Sequence, residues 1–174
     1  KYYAEHDGEH ADVAAAMVEQ YMPAFAGDEL PATQTGTLIA LADRLDSLVG
    51  LFGLGQIPTG SKDPFALRRA SLGVLRILVE KEINIDLATL IDYALEGDWK
   101  TAPKADTKAT LIEYMLDRFS AWYADENIPT GVFQAVRALG VTNALDVNRR
   151  VKAVFEFSKL DAAESLAAAN KRVS

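Results

Sequence analysis

Apolar residues recur at intervals of three and four positions along most of the chain, a spacing that places them on one face of an α-helix. Runs that alternate apolar and polar residues, as half-buried strands do, are nearly absent. The pattern predicts eight helices, over residues 10–22, 34–53, 64–82, 86–96, 106–124, 130–139, 143–157 and 160–173. We therefore expect an all-α fold, a helical bundle.

Polar residues mark several of the predicted helix ends. Asp63 precedes Pro64, and this pair is typical of an N-cap followed by proline at the first helical position, where the missing N–H costs nothing. Three further residues are predicted N-caps: Asp86, Asp106 and Asn143. The polar segment 96–107, "EGDWKTAPKADT", separates two amphipathic regions and is the predicted boundary between two helical parts of similar size.

Composition fits one globular domain or two small ones, because about half of the 174 residues (49%) are apolar. The chain has no cysteine, which excludes disulfides and cysteine-based zinc sites. No apolar run approaches the roughly 18 residues that a membrane span needs, so we expect no membrane partner.

The net charge of −7 conceals a gradient along the chain. Residues 1–60 contain nine acids and two bases, whereas 61–82 contain three acids and five bases, and 142–174 four acids and six bases. An anionic partner is therefore expected to meet the two basic patches.

The stretch "GQIPTGSKDPFALRR" raises the question of a phosphate-binding loop. Gly55 and Gly60 have the glycine spacing of a Walker A motif, but Ser61 and Lys62 stand in reversed order. The approach to the loop is helical rather than a strand, and Pro58 removes an amide that a phosphate would need. The pattern argues against an ATP site and leaves Lys62 as a surface cation or a phosphate contact to a larger ligand.

A His-Asp dipeptide, His6-Asp7, invites the interpretation of a metal-dependent phosphohydrolase. The one other histidine, His10, lies four residues on, a spacing at which two side chains can share a helix face. Such enzymes need further ligands, so a polar N-terminal turn is the favoured interpretation.

Asp43 and Asp46 lie three residues apart beside the apolar stripe of a predicted helix, so their carboxylates project together. An acid/base pair would need two different environments to separate the two pKa values. We favour structural ion pairs with arginines of a neighbouring helix, namely Arg68, Arg69 or Arg76.

The predicted helix 64–82 is apolar around most of its circumference, which indicates a central position. Arg69, Gly73 and Arg76 fall on one stripe, and arginine suits a bidentate grip on phosphate or carboxylate. Two interpretations stay open for this stripe: ion pairs with the acidic pair of the preceding helix, or contacts to RNA phosphates. Gly73 costs about 1 kcal/mol against alanine in a helix interior, so we expect another backbone to pack closely there.

The second basic patch provides weaker support for RNA binding, because charged helix faces are usually only solvated. Its members are Arg149, Arg150, Lys152, Lys171 and Arg172.

Four segments resemble, in order, the β subunit of bacterial heterotetrameric glycyl-tRNA synthetase: "YYAEHDGE", "GDELPAT", "LADRLDSLVGLFGLGQIPTGSKDPFALRRASLGVLRI" and "AAANKRV". The resemblance is close over residues 1–80 and looser over 106–160. It implies an internal fragment of a longer subunit, with the later part of a degenerate HD-type helical domain over 1–97. A helical linker domain would follow over 98–160, and 161–174 would begin the first helix of the anticodon-binding domain.

In that family, the resemblance implies, glycine is activated with ATP and transferred to tRNA in the class II active site of the separate α subunit. Residues of this fragment would then be non-catalytic, ATP and Mg²⁺ would bind at the α subunit, and the partners would be tRNA(Gly) and that subunit in the cytoplasm. Asp43 would be the relic of a metal-ligating aspartate of HD hydrolases, with no metal bound. The predicted tRNA contacts are Lys62, Arg68, Arg69, Arg76, Arg149, Arg150, Lys171 and Arg172.

Two other classes of function stay open. One is a metal-dependent phosphohydrolase that uses Asp43, His6 and His10. The other is a purely structural helical module without a ligand.

Overall fold

A computed structural model describes residues 1–160 and 162–163 of the chain. In these residues the secondary structure is helical, and the β-type pairing is a single isolated bridge between Thr59 and Lys62. The predicted all-α class is confirmed. The helices are α1 (Tyr2–His6), α2 (Ala11–Glu19), α3 (Gln34–Gly53), α4 (Leu67–Glu80), α5 (Leu87–Leu95), α6 (Thr107–Asp125), α7 (Thr130–Arg137) and α8 (Ala144–Ser158).

The start of α4 differs from the prediction. Asp63 does cap the helix, but its two carboxylate oxygens accept hydrogen bonds from the backbone N–H groups of Leu67 (2.8 Å) and Arg68 (3.0 Å). The intervening turn includes Ala66 in the left-handed region, with φ 54°. The prediction of Pro64 as the first helical residue is therefore wrong, since the carboxylate reaches the first amides across a longer turn.

Other ends agree with their predicted caps more closely. The side chain of Asp86 accepts from the N–H of Ala88 (2.7 Å), and that of Asn143 accepts from the N–H of Asp146 (3.0 Å). Asp106 precedes α6 without a side-chain capping hydrogen bond. The short helix α1 was not predicted, and the predicted helix 160–173 lies almost wholly outside the described residues.

One hydrophobic core joins α3 to α8. Its fully buried members include Leu48 of α3, Leu75 of α4, Phe119 of α6 and Val147 of α8. As predicted, α4 is central, because it packs against α3, α6 and α8. The two predicted helical parts thus share their core, and both the boundary near residue 97 and the HD-type origin of the first part stay predictions.

The segment between α5 and α6 packs on the second half of α3, where glycines make room for it. A Cβ added at Gly50 would lie 2.8 Å from Cζ3 of Trp99, and one added at Gly53 would lie 2.9 Å from Cβ of Pro103. These close approaches hold the segment against the bundle.

Candidate nucleic-acid interface

A groove of about 570 Å³ lies between α4 and α6 and is bordered by Ala26 and Gly27 of the α2–α3 loop. Three apolar side chains line it: Leu72, Ala121 and Trp122. Four arginines and two carboxylates line it as well: Arg68, Arg69, Arg76, Arg118, Glu80 and Asp125. Cationic side chains therefore outnumber anionic ones around an apolar surface.

Helical spacing explains why these side chains meet. On α4, Arg69, Leu72 and Arg76 are separated by three and four residues, while the opposite face is buried in the core. On α6 the lining residues recur at the same spacing: Arg118, Ala121, Trp122 and Asp125. Two stripes of side chains thus face each other across the groove.

Arg76 is held in one orientation by a carboxylate and a backbone carbonyl. Its Nε lies 2.6 Å from Oε1 of Glu80, and its Nη2 donates to the carbonyl oxygen of Asp28 (2.9 Å). The side chain is only 13% exposed, and its buried Nη1 has no hydrogen-bond partner among the described residues. A buried N–H without a partner is costly, so the two bonds to Glu80 and Asp28 hold this guanidinium in place against that cost.

Arg118 approaches the groove from α6 and was not among the predicted site residues. Its guanidinium carbon lies 5.0 Å above the ring centroid of Tyr114, a cation–π distance. Its Nε is buried, and no residue that the structure describes accepts a hydrogen bond from it. Burial raises the pKa of Tyr114, and the charge of Arg118 opposes that shift.

Trp122 of α6 packs partly against the core. The indole lies 5.4 Å from the buried ring of Phe119, centroid to centroid, and its Nε1 donates to Oε1 of Glu126 (2.8 Å). The ring is half-buried and lines the groove. A sequence signal existed, because Arg118, Trp122 and Asp125 share a helix face, but it does not show which helix lies opposite.

The loop before α4 is a tight turn rather than a phosphate cradle. Thr59 and Lys62 exchange both backbone hydrogen bonds (3.2 and 2.8 Å), and the N–H of Gly55 donates to the carbonyl oxygen of Phe52. These amides are therefore unavailable to a phosphate. The guanidinium of Arg68 donates to the carbonyl oxygen of Gly60. The side chains of Lys62 and Arg69 are exposed, and within residues 1–160 and 162–163 neither forms an ion pair.

The expected ion pairs of Asp43 and Asp46 are not formed in the part of the chain that the structure describes. Arg76 pairs with Glu80 of its own helix instead. Asp43 and Arg69 line one shallow cleft, yet their charged atoms lie more than 4.0 Å apart. Both aspartates are exposed, since α3 turns the neighbouring Arg44 inward instead.

Arg44 is a buried charged residue that the sequence interpretation missed. Its guanidinium donates to four carbonyl oxygens at 2.8–3.1 Å, those of Ala40, Gln20, Tyr21 and Pro23. Burial lowers its pKa, and the charge of Asp43 opposes that shift. The position of Arg44 in the sequence could have indicated that it is buried. It lies three residues after Leu41 and four before Leu48, so it falls on the apolar stripe of the helix.

Gly73 accommodates this arginine. A Cβ at Gly73 would lie 2.7 Å from Nε of Arg44. The predicted close approach is therefore correct in kind, but the neighbour is a side chain and not a backbone as expected. The reason is that Arg44 extends across α4 to reach the α2–α3 loop.

The second basic patch, on α8, differs from α4 because its described cations have carboxylate partners. Arg149 pairs with Glu82 (3.5 Å) and Arg150 with Asp146 (2.9 Å). Lys152 lies 3.7 Å from Glu126. The predicted contacts Lys171 and Arg172 lie outside the described residues. Of the two patches, α4 therefore presents more uncompensated positive charge.

The described residues do not provide the set of ligands that the metal-binding hypothesis requires. No group of three His, Cys, Asp or Glu side chains that could hold a metal ion occurs in 1–160 or 162–163. His10 is instead the N-cap of α2, where Nδ1 accepts a hydrogen bond from the N–H of Asp12 (3.2 Å). In the same residues, every helix is too short or too polar to cross a membrane.

Comparison with known proteins assigns this chain to a class. The model of the family described as glycyl-tRNA synthetase beta subunit matches residues 1–138, which identifies the chain with the aminoacyl-tRNA ligases. The chain belongs to the glycyl-tRNA synthetase beta subunit family, as the resemblance predicted.

Individual relatives agree with this assignment over the whole chain. The glycine–tRNA ligase beta subunit of Marinobacter nauticus is 55% identical over 174 residues, which cover 100% of this chain and 25% of the relative. Those of Hahella chejuensis and Aliivibrio salmonicida are 54% and 58% identical, over 100% and 99% of this chain and 25% of each relative. The chain thus spans about a quarter of the length of these relatives.

Proposed function

We propose that this part of the glycine–tRNA ligase β subunit helps to bind tRNA(Gly) and braces the domains around it. Glycine activation with ATP and Mg²⁺, and transfer to tRNA, take place in the class II site of the α subunit, and the αβ complex acts in the cytoplasm. The observation that supports the binding role is the uncompensated positive charge of α4 on a chain of net charge −7.

Electrostatics favours α4 over α8 as the phosphate-binding surface. A cation that already pairs with a carboxylate gains little from a phosphate, because the pair must be exchanged rather than formed. Lys62 and Arg69 have no such pair among the described residues, and each can release a condensed counterion when it meets RNA. Arg149 and Arg150 would contribute less for the same reason.

The bracing role rests on how rigidly α4 and its loop are held. Asp63 caps the helix, and the opposite face of α4 is buried in the core. The α2–α3 loop is fixed from two helices, by Arg44 of α3 and by Arg76 of α4. Lys81 adds a hydrogen bond to the carbonyl oxygen of Pro31 (2.6 Å). Charges on such a preorganised surface lose little conformational freedom on binding.

The chemistry of the groove also suits binding better than catalysis. Arginine stays protonated in proteins and does not act as a general base. The carboxylate of Glu80 is engaged by Arg76, which leaves Asp125 as the other acid lining the groove. We assign no catalytic residue to this part of the subunit.

The proposal is tested by steady-state glycylation with the complete αβ enzyme. Lys62→Ala and Arg69→Ala are expected to raise the KM for tRNA(Gly) about three- to tenfold each, since one phosphate contact is lost. The KM values for glycine and ATP should stay unchanged, because those substrates bind at the other subunit.

Matched controls are Lys108→Ala and Arg137→Ala, whose cations pair with Asp92 (2.6 Å) and Glu113 (2.7 Å). These variants should leave the KM for tRNA(Gly) unchanged. If all four variants behave alike, α4 has no special part in tRNA binding and the purely structural module becomes the better account.

A further inference from the structure

We propose that the groove between α4 and α6 holds one unpaired ribonucleotide, with its phosphate at Arg118 and its base against Trp122. This inference rests on the proposed function and specifies which kind of RNA the groove accepts.

The size of the groove favours a single nucleotide. Its volume of about 570 Å³ falls within the range of roughly 300–1,000 Å³ typical of pockets that enclose small ligands. An A-form duplex is recognised instead across its wide, shallow minor groove, through 2′-hydroxyl and phosphate contacts that need an open surface. A concave groove between two helices excludes the body of a duplex and admits a single unstacked nucleotide.

Arg118 is the groove cation that is positioned for the phosphate. It lines the groove from α6, and among the described residues it forms no ion pair, whereas Arg76 on the opposite wall is paired with Glu80. The guanidinium of Arg76 is fixed by Glu80 and Asp28, and that of Arg118 by its stacking on Tyr114. A phosphate oxygen at Arg118 therefore gains a charge-assisted hydrogen bond without displacing a carboxylate.

The apolar part of the groove suits a base. The indole of Trp122 is supported by the buried ring of Phe119, and its N–H is held by Glu126 outside the groove lining. Leu72 and Ala121 continue the apolar surface. Unpaired bases stack on such aromatic side chains without strong sequence preference, and loss of one stack weakens binding by about tenfold.

The carboxylates set the position of the phosphate within the groove. Glu80 is neutralised by Arg76, at 2.6 Å, so it does not repel an anion there. Asp125 forms no ion pair among the described residues and lies one helical turn beyond Trp122 on α6. A phosphate is therefore favoured at the end of the groove near Arg118, with the base toward Asp125.

Photo-crosslinking of the full-length subunit tests this assignment locally. The probe is a single-stranded RNA octamer with one 4-thiouridine, compared with the same strand in a duplex. We expect a crosslink on the α6 peptide that contains Trp122, at least fivefold weaker with the duplex. Arg118→Ala should reduce its yield about tenfold and Trp122→Phe less than twofold, because phenylalanine still stacks, whereas Arg137→Ala should have no effect.

A second variant and a competitor make the result decisive. Arg118→Lys preserves the charge and the aliphatic stem, and it should fold normally while losing yield about threefold. Equal crosslinking with single strand and duplex, no crosslink on α6, or a full yield with Arg118→Ala would overturn the inference. So would a free nucleoside 5′-monophosphate that competes as well as the octamer. If α6 is not crosslinked while Lys62→Ala and Arg69→Ala still raise the KM for tRNA(Gly), only this inference fails and the proposed function stands.

Discussion

Arg44 of α3 lies across Gly73 of α4, with only enough space between the two central helices for a residue without a side chain. A Cβ at Gly73 would lie 2.7 Å from Nε and 3.2 Å from Cδ of the arginine. Arg44 cannot easily move away, because its guanidinium donates to four carbonyl oxygens. This pair therefore sets the distance between α3 and α4.

The first prediction is that Gly73→Ala destabilises the chain. Overpacking typically costs about 1–3 kcal/mol, whereas alanine gains about 1 kcal/mol in helix propensity, so we expect a net loss of up to about 2 kcal/mol. Urea unfolding followed by circular dichroism measures the change. Gly131→Ala in α7 is the control, since its Cβ would meet no atom of the described residues within 4 Å, and it should be neutral or slightly stabilising. A Gly73→Ala chain as stable as the original would mean that Arg44 does not restrict this position.

The second prediction concerns the hydrogen bonds of Arg44. Arg44→Met should lower the free energy of unfolding by about 3 kcal/mol, because it leaves buried carbonyl oxygens without donors. Hydrogen exchange should rise in the α2–α3 loop before it rises in α6. Arg44→Lys should not restore stability, since one ammonium group cannot reach all the carbonyls that the planar guanidinium contacts. Unchanged exchange in the loop would show that Arg44 is not what holds it.

The third prediction follows from Tyr123, which is buried and close to Asn148 (3.3 Å between the hydroxyl and Oδ1). Burial raises the pKa of Tyr123 above its ordinary value near 10, and the carboxylate of Glu126 raises it further. The folded state therefore favours the neutral phenol. Its contribution to stability is complete below about pH 10 and is lost as the pH rises above that value, where the unfolded chain ionises.

Unfolding free energies between pH 8 and pH 11.5 check this sign. Above about pH 10 the original chain should lose up to about 1.4 kcal/mol per pH unit more than Tyr123→Phe, which has no phenol to ionise. Tyr93→Phe, at an exposed tyrosine, should follow the original chain. Parallel curves for the original chain and Tyr123→Phe would contradict the assignment.

Sequence periodicity predicted the helix bounds that depend on the local spacing of apolar residues. It predicted α3 (Gln34–Gly53) with its exact bounds, because the apolar stripe is regular and Thr33 caps the helix through the N–H of Gly36 (2.9 Å). It missed the start of α4, since the reach of the Asp63 carboxylate depends on the left-handed turn at Ala66. It also missed α1, whose five residues are too few to show a period.

Only one side of the candidate site, the arginines of α4, could be predicted from the sequence. The α4 arginines were found because they share one helix face, and the resemblance added a reason to expect RNA. Arg118 lies 42 positions beyond Arg76, so no local pattern shows that their heads converge. The ion pairs expected for Asp43 and Asp46 failed to form for the same reason, because spacing along one helix does not reveal which side chain of the next helix lies opposite.

The salt dependence of tRNA(Gly) binding to the full-length subunit tests the central claim most directly. Each phosphate contact contributes about 0.7–0.9 to the slope of log K against log salt concentration, so the double variant Lys62→Ala/Arg69→Ala should lower the magnitude of that slope by about 1.5. The matched double variant Lys108→Ala/Arg137→Ala should leave it unchanged. Equal slopes for the original subunit and both double variants would contradict the account, because α4 would then make no phosphate contact.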